Sequence, residues 1–247
     1  MTFTADFPGS IVYPAHPNNY GGYGRGNTPK AIVLHTPEEP ADNNEITPQW
    51  FANPAAGAST HYYLDNDGDM YQMVPESDCP WANGNRGGVN RVWKGVKDAW
   101  PPWAEAGVSL NCQTISIEIE GYAASIGQTL NDTQFAALVT WVKDVAGRYG
   151  IPLDRDHIIG HFEVATDRTD PGATFPWERL MAALNEQEAA VVDPTKIRMI
   201  PVGPPETTVV SGVPFPDWTD PFDEDERIIT TVQTITSKQR MRIVVDA

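Results

Sequence analysis

The chain has 247 residues, 40% of them hydrophobic, and carries a formal net charge of −16 at pH 7. Its length suffices for one sizeable globular domain with an appendage, and no apolar run approaches the roughly 20 residues that span a bilayer. The acidic balance argues against binding to nucleic acid or insertion into an anionic membrane, both of which depend on Lys and Arg, and it favours a monomer.

Residues 1–27 are rich in Gly, Pro, Asn and Tyr, which predicts an irregular N-terminal arm. Beyond this arm, hydrophobic periodicity, turn residues and helix caps define a succession of strands and helices. The predicted elements are a strand at 30–35, a helix at 46–51 with Thr47 as N-cap, a hairpin of 60–65 and 70–74, a strand at 114–120, a helix at 132–149, a strand at 157–160 and a helix at 177–190. This alternation predicts an α/β fold in which a central mixed β-sheet is flanked by helices.

The composition changes near residue 191, after the last predicted helix. Residues 191–247 are rich in Pro, contain an acidic patch at 217–226, and include strand-like runs at 228–235 and 241–245. We therefore expect a folded domain at 28–190 and a Pro-rich, partly β C-terminal extension at 191–247 with no readable role. The extension is either a small β appendage or a partly disordered arm.

Cysteine is scarce, since the chain contains only Cys79 and Cys112. Two cysteines do not make a disulfide framework, although they could pair if the fold brings them together. Neither has the sequence neighbours of a nucleophile or of a metal knuckle. Of the two possibilities, we favour a pair of buried reduced thiols.

Three side chains that are far apart in sequence carry the chemistry. His35 ends the apolar run Ala31-Ile32-Val33-Leu34, His161 follows Ile158-Ile159-Gly160, and Asp170 lies in an Asp-Pro-Gly loop. Two imidazoles and one carboxylate are the ligand set of a catalytic zinc site whose fourth position is left to water. Each histidine alone would more often be structural, so the prediction depends on the three together.

Several segments resemble the zinc-dependent N-acetylmuramoyl-L-alanine amidases of the peptidoglycan-recognition superfamily, which include phage lysins. The segments are IVLHT at 32–36, STHY at 59–62, DGDMYQMVPE at 67–76, ISIEIEG at 115–121, GH at 160–161 and TDPGATFPW at 169–177. They occur in the family's order and spacing over residues 28–188. The resemblance implies that residues 28–190 form a zinc amidase catalytic domain.

The resemblance also implies roles for individual residues. His35, His161 and Asp170 would bind one Zn²⁺, which lowers the pKa of a water ligand towards about 7. Glu118 would be the general base and acid, with Glu120 on the same strand face as the alternative carboxylate and a solvent-facing strand carboxylate as the alternative explanation of Glu118.

Arg168 takes the place where relatives often carry Lys to stabilise an oxyanion, and a simple salt bridge to Asp167 or Asp170 is the alternative. Many relatives line the groove with Trp-His-Ala-Gly, whereas this chain has Trp81-Ala82-Asn83-Gly84. Trp81 and Asn83 are therefore the candidate substrate-binding residues, with Asn83 a partial substitute for the missing histidine. His61 is predicted to be a buried, hydrogen-bonded strand histidine and not a ligand.

The implied activity is hydrolysis of the amide between N-acetylmuramic acid and the L-alanine of the peptidoglycan stem peptide. The alternatives are a non-catalytic peptidoglycan-binding module and a virion-associated tail lysin. Residues 1–6 lack the basic start and apolar stretch of a signal peptide. We therefore expect synthesis in a host cytoplasm, followed by action on the cell wall after a holin has permeabilised the membrane.

Overall fold

The computed structural model describes residues 3–42, 45–84, 92–186, 197–206 and 238–245. The chain divides into two compact units, Met1–Glu186 and Gln187–Ala247. Within the described part of the chain, no helix combines the length and the apolar character needed to cross a lipid bilayer.

The first unit consists of eight strands and four α-helices among its described residues. In chain order these are β1 (Ile11–Val12), β2 (Ala31–His35), α1 (Ile46–Phe51), β3 (Tyr62–Leu64), β4 (Met70–Gln72), β5 (Val92–Trp93), β6 (Val96–Lys97), β7 (Thr114–Ile119), α2 (Ile126–Thr129), α3 (Asp132–Tyr149), β8 (Ile158–Gly160) and α4 (Trp177–Asn185). The second unit contains β9 (Ile197–Glu206) and β10 (Lys238–Val245), which pair antiparallel.

Six of these strands form one sheet in the order β1-β4-β3-β7-β2-β8. Strands β3, β7, β2 and β8 run parallel to their neighbours, whereas β4 pairs antiparallel with β3 as a hairpin. The predicted mixed sheet flanked by helices is thus confirmed. The parallel strands β7, β2 and β8 lie side by side, so their carboxyl ends meet at one edge of the sheet, where α/β proteins commonly bind ligands.

The two faces of the sheet are covered differently. On one face Ile115, Ile117 and Ile119 of β7 pack with the long helix α3 and with α4 in the largest apolar cluster. On the other face, a smaller cluster joins Tyr63 of β3 to Phe51 of α1. The three isoleucines thus share one face of β7, and Ser116 and Glu118 lie on the opposite face.

Helix α3 is capped at both ends, whereas the N-cap predicted for α1 is wrong. Asn131 accepts a hydrogen bond from the Gln134 amide and Gly150 closes α3 in the left-handed conformation. Thr47, by contrast, lies inside α1, where its backbone N–H and its hydroxyl both donate to Glu39 Oε2 at 3.0 Å. A buried carboxylate from the preceding loop thus replaces the expected cap side chain.

The prediction for the C-terminal part of the chain is correct only in part. Helix α4 ends at Asn185, before the predicted end at 190, and residues 187–190 lie outside the described residues. The strand-like run at 241–245 lies within β10, whereas the run at 228–235 also falls outside the described residues. Strand β9 was not predicted, because its prolines disfavour a strand assignment.

The preference for reduced thiols is wrong, because Cys79 and Cys112 form a disulfide with a Cα–Cα distance of 4.8 Å. The two residues are 33 positions apart. Cys79 lies in the loop after β4, and Cys112 lies just before β7. In the sheet, β3 alone separates β4 from β7, so the two cysteines come close together. Nothing in the local sequence around either cysteine reports that proximity.

His61 is buried beside the hairpin and hydrogen-bonded, as predicted. The Ser116 backbone N–H donates to its Nδ1 at 3.0 Å, and Nε2 lies 3.2 Å from the Asp78 carbonyl oxygen. Because an N–H can only donate, Nδ1 must carry a lone pair and Nε2 the proton. Burial lowers the pKa of His61 to about 4, although the negative charge of Glu76 and the bond with Asp78 act in the opposite direction.

We predict that His61 lowers the free energy of unfolding as the pH becomes mildly acidic. In the unfolded chain the imidazole takes up a proton near its ordinary pKa of about 6.5, but the folded protein resists it until about pH 4. Stability is therefore complete above pH 6.5 and falls as the pH decreases towards 4, by about 2–3 kcal/mol at pH 4.5. Urea unfolding at pH 7.5 and 4.5 measures the loss.

His61→Gln is the matched control, because its side-chain oxygen can still accept from the Ser116 amide while the residue does not titrate. The loss of stability between the two pH values should be smaller in His61→Gln by that same amount. An equal loss in both proteins would contradict the assignment to His61.

Candidate active site

The candidate site is built at the carboxyl ends of three adjacent parallel strands. His35 is the last residue of β2, and its register partner on β7 is Glu118. On the other side of β2, Leu34 pairs with Gly160, the last residue of β8, so that His161 follows at the same level. The topology thereby brings together residues that are up to 126 positions apart, because 161 − 35 = 126.

Two glycines allow Asp170 to approach His35 and His161 at the carboxyl ends of these strands. Gly172 has φ +106°, and a Cβ atom there would lie 1.9 Å from the Ala123 carbonyl oxygen. At Gly160 a Cβ atom would lie 2.6 Å from the Phe162 ring and 2.7 Å from Pro171. The Gly-His and Asp-Pro-Gly motifs therefore lie too close to their neighbours for any side chain at the glycine positions.

The donor atoms of His35, His161 and Asp170 converge. Asp170 Oδ2 lies 3.2 Å from His35 Nδ1 and 3.1 Å from His161 Nδ1, and all three residues are buried. One ligand atom from each lies within 4.8 Å of the others. Tetrahedral Zn²⁺ with bonds of about 2.0–2.2 Å separates its donors by about 3.3–3.5 Å, so the two distances from Asp170 Oδ2 are close to those of a zinc site.

The charges in the cluster are strongly coupled. Burial opposes ionisation of Asp170, but its hydrogen bonds with His161 and His35 hold its pKa well below the usual range. Burial, together with the positive charges of His35 and Arg168, lowers the pKa of His161 to about 4. Burial acts in the same direction on His35, but its contacts with Asp170 and Glu118 outweigh this effect and raise its pKa. The carboxylate is therefore ionised and His161 neutral at pH 7, as metal ligands must be.

Glu118 presents a carboxyl group with an unused oxygen next to His35. Its Oε2 is buried and has no hydrogen-bond partner among the residues the structure describes. Burial raises the pKa of Glu118 to about 7, and the negative charges of Asp170 and Glu39 add to the shift, whereas His35 opposes it. Such a group can exchange a proton near neutral pH.

The other candidate carboxylate, Glu120, is engaged in the structure. Its two oxygens accept hydrogen bonds from the backbone N–H groups of Asp42, at 2.9 Å, and Asn66, at 2.5 Å. These bonds fasten two loops to the end of β7. The geometry therefore favours Glu118 over Glu120 as the residue that moves a proton.

Arg168 lies on the rim of the cluster with its side chain 48% exposed. Its guanidinium donates to Asp167 Oδ2 at 3.0 Å, which is one of the two salt bridges considered as the alternative role. The charge also reaches the cluster, since it contributes to the lowered pKa of His161. A surface pocket of about 610 Å³ opens beside it, lined by Phe162, Thr166, Arg168, Thr169, Gly172 and Trp177 among others.

The two predicted substrate-binding residues occupy different environments. Trp81 is partly buried and its indole N–H donates to the Gly21 carbonyl oxygen at 3.0 Å. Asn83 is 1% exposed, its side chain donates to Thr114 Oγ1 at 2.9 Å, and it lies near enough to His35 to contribute to the raised pKa of that imidazole. Contact of either residue with substrate stays a prediction.

Two features of the site were not found by reading the sequence. One is the proximity of Asn83 to His35, for which the only signal is the departure from the family's Trp-His-Ala-Gly string. The other is Glu39, which is buried near Glu118 and has its own pKa raised by burial. No local pattern distinguishes Glu39 from the exposed carboxylates around it.

Comparison with known proteins identifies a matching family. A family model described as N-acetylmuramoyl-L-alanine amidase matches residues 25–173, which is more than half of the chain. No curated protein matches the chain.

The chain is also similar to several solved structures. The catalytic domain of XlyA has a TM-score of 0.50 and 19% identity, over 70% of this chain and 97% of that one. A selenomethionine derivative of AmpD has a TM-score of 0.49 and 22% identity, over 72% and 96%. N-acetylmuramoyl-L-alanine amidase LysC from Clostridium intestinale URNW has a TM-score of 0.44 and 20% identity, over 73% and 100%.

Proposed function

Since the chain belongs to the N-acetylmuramoyl-L-alanine amidase family, we propose that it hydrolyses the bond between N-acetylmuramic acid and L-alanine with the help of one Zn²⁺. His35, His161 and Asp170 would hold the ion. The observation that carries the proposal is the convergence of two imidazole nitrogens on one carboxylate oxygen at 3.1–3.2 Å, next to the buried carboxyl of Glu118.

A bound Zn²⁺ would supply a Lewis acid that polarises the scissile carbonyl and activates water as the nucleophile. Glu118 would accept the proton of the attacking water at its unpartnered Oε2. The same carboxylic acid would then donate that proton to the departing L-alanine nitrogen, which cannot leave as an anion at neutral pH. A pKa near 7 suits both halves of this transfer.

Arg168 would stabilise the negative charge that develops on the carbonyl oxygen during the attack. Its exposed guanidinium has a flexible stem and only the neighbouring Asp167 as an ion-pair partner among the described residues. The adjacent pocket would receive part of the muropeptide, since its lining includes residues on both sides of Asp170.

The test is digestion of purified peptidoglycan with the full-length protein. We expect new amino termini to appear, with L-alanine as the residue that carries them, and no increase in reducing sugar ends. Treatment with a chelator should abolish the release and added Zn²⁺ should restore it. A protein that binds the wall but liberates no L-alanyl amine would instead be the non-catalytic binding module.

The biological setting is a further part of the proposal. We propose a phage lysin, made in the host cytoplasm and acting on the wall after membrane permeabilisation, on the basis of the resemblance of its catalytic segments to such lysins. Mass spectrometry of purified virions distinguishes a free lysin from a virion-associated one. Recovery of the chain in washed particles would favour the tail lysin.

A further inference from the structure

We propose that Arg155 and Glu163 are positioning residues, whose ion pair holds together the two chain segments that carry His161 and Asp170. The inference rests on the metal site of the proposed function, and it assigns a role to two charged side chains that the proposed reaction does not use. Metal ligands depend on outer partners that hold them in place, and loss of such a partner weakens metal binding.

Glu163 fixes the segment of His161 through backbone contacts. The residues His161–Glu163 form one turn of 3₁₀ helix directly after β8. Glu163 Oε2 accepts the backbone N–H of Gly160, the residue before His161, at 2.9 Å. The Lys94 backbone N–H donates to the Glu163 carbonyl oxygen at 2.7 Å. The turn that carries the imidazole is thus fastened to the end of β8 and to the loop between β5 and β6.

Arg155 is the ionic partner of the Glu163 carboxylate. The side chain of Glu163 is only 6% exposed, and Arg155 Nη2 donates to its Oε2 at 2.6 Å. Arg155 Nη1 also donates to the Ile158 carbonyl oxygen of β8. Removing one partner of a buried ion pair is strongly destabilising, because the other charge is then left buried without compensation. The position of Glu163 therefore depends on Arg155.

The same guanidinium reaches the segment that follows Asp170. Arg155 Cζ lies 3.5 Å from the centroid of the Trp177 ring, and Trp177 begins α4 after the Asp-Pro-Gly loop. A cation is attracted to the face of an indole ring. The Phe162 backbone N–H donates to the Asp170 carbonyl oxygen at 3.2 Å, so the two segments are also joined directly. Arg155 thus contacts both ligand-bearing segments, and through them it sets the separation of the two ligands.

Zinc affinity of the full-length protein, measured by competition with a chelator, tests the proposal. We expect Arg155→Met to bind Zn²⁺ roughly 10–100-fold more weakly than wild type, the range associated with loss of an outer partner. Methionine can still pack its stem against Trp177, but it cannot pair with Glu163. The visible absorption spectrum of the protein loaded with Co²⁺, which serves as a readout of donor geometry, should also differ from that of wild type.

A double substitution separates the ion pair from general packing. In Arg155→Met/Glu163→Gln the buried charge is gone, while the glutamine oxygen can still accept the Gly160 N–H. We expect this protein to recover most of the zinc affinity that Arg155→Met loses, because the two changes act on one pair and are not additive. A double variant that binds Zn²⁺ no more tightly than Arg155→Met would overturn the proposal.

Arg179 supplies the matched control. Its Nη2 donates to Asp132 Oδ1 at 2.6 Å and its Cζ lies 3.8 Å from the centroid of the Phe135 ring. Arg179 therefore makes the same two kinds of contact as Arg155, but it makes them between α4 and α3. Arg179→Met should keep the zinc affinity and the Co²⁺ spectrum of wild type. Urea unfolding of each variant establishes that the metal is added to folded protein.

The outcomes distinguish this inference from the proposed function. If wild type binds no Zn²⁺, the metal site itself is wrong. If wild type binds Zn²⁺ and folded Arg155→Met binds it equally tightly with an unchanged Co²⁺ spectrum, the positioning role is overturned and the amidase proposal stands. Equal losses of affinity in Arg155→Met and Arg179→Met would likewise overturn it.

Arg155→Lys decides the matter if Arg155→Met does not fold. Lysine keeps the positive charge but lacks the planar fork that reaches Glu163, Ile158 and Trp177 together. We expect it to fold and to bind Zn²⁺ several-fold more weakly than wild type. Wild-type affinity in Arg155→Lys would then overturn the positioning role.

Discussion

Replacing Glu118 with glutamine is expected to lower the turnover of peptidoglycan by roughly 10²–10⁴-fold, the usual contribution of a general acid–base group. The amide has nearly the same shape as the carboxyl, but it cannot accept the proton of water or deliver one to the leaving nitrogen. Zinc content should remain that of wild type, because Glu118 is not among the three converging donors. Release of L-alanyl amines and elemental analysis of the purified proteins measure the two quantities.

Glu120→Gln is the matched control, since Glu120 lies two residues after Glu118, directly past the end of β7. Its oxygens accept backbone N–H groups, and the glutamine oxygen can keep one of these bonds. We expect Glu120→Gln to lose some stability but to keep its turnover within a few-fold of wild type. If Glu120→Gln lost turnover and Glu118→Gln did not, the roles of the two carboxylates would be reversed.

Replacing His161 with alanine is expected to abolish both metal binding and activity. The change removes one of three protein donors, and the zinc affinity should fall by more than the roughly 10–100-fold associated with an outer partner. It also leaves Asp170 Oδ2 with a single imidazole partner, His35. Chelator competition and digestion of purified peptidoglycan measure the losses.

His16→Ala is the control for the removal of an imidazole, because His16 lies in the N-terminal arm and its side chain accepts an exposed hydrogen bond from the Asn18 amide. It should retain zinc and activity. Full amidase activity in metal-free His161→Ala would contradict the proposed mechanism, and retention of zinc by that variant would contradict the assigned ligands.

The features that sequence reasoning predicted are those with a local or periodic signature. Helix α3 has apolar residues at helical spacing, a capping Asn131 and a terminal Gly150, and its predicted bounds match the structure. His35 and His161 follow apolar runs, which places them at strand ends. Parallel pairing of β2 with β7 and β8 then brings these ends together.

The features that were missed depend on tertiary contacts. The Thr47 cap was wrong because Glu39, eight residues earlier, supplies a buried acceptor. The proximity of Asn83 to His35 was missed because 48 positions separate them, since 83 − 35 = 48. The engagement of Glu120 was missed for the same reason, as its donors lie in two other loops. Side-chain partners of this kind become visible only once the chain is folded.

The disulfide between Cys79 and Cys112 makes the stability of the folded protein depend on whether its surroundings are reducing or oxidising. Closing a loop of this length removes chain entropy from the unfolded ensemble that corresponds to about 3–4 kcal/mol. Glutathione and thioredoxin systems of a cytosol keep such thiols apart, whereas oxidising surroundings let them join. The same polypeptide would therefore be easier to unfold, and easier for proteases to clear, on the reducing side of a membrane than beyond it.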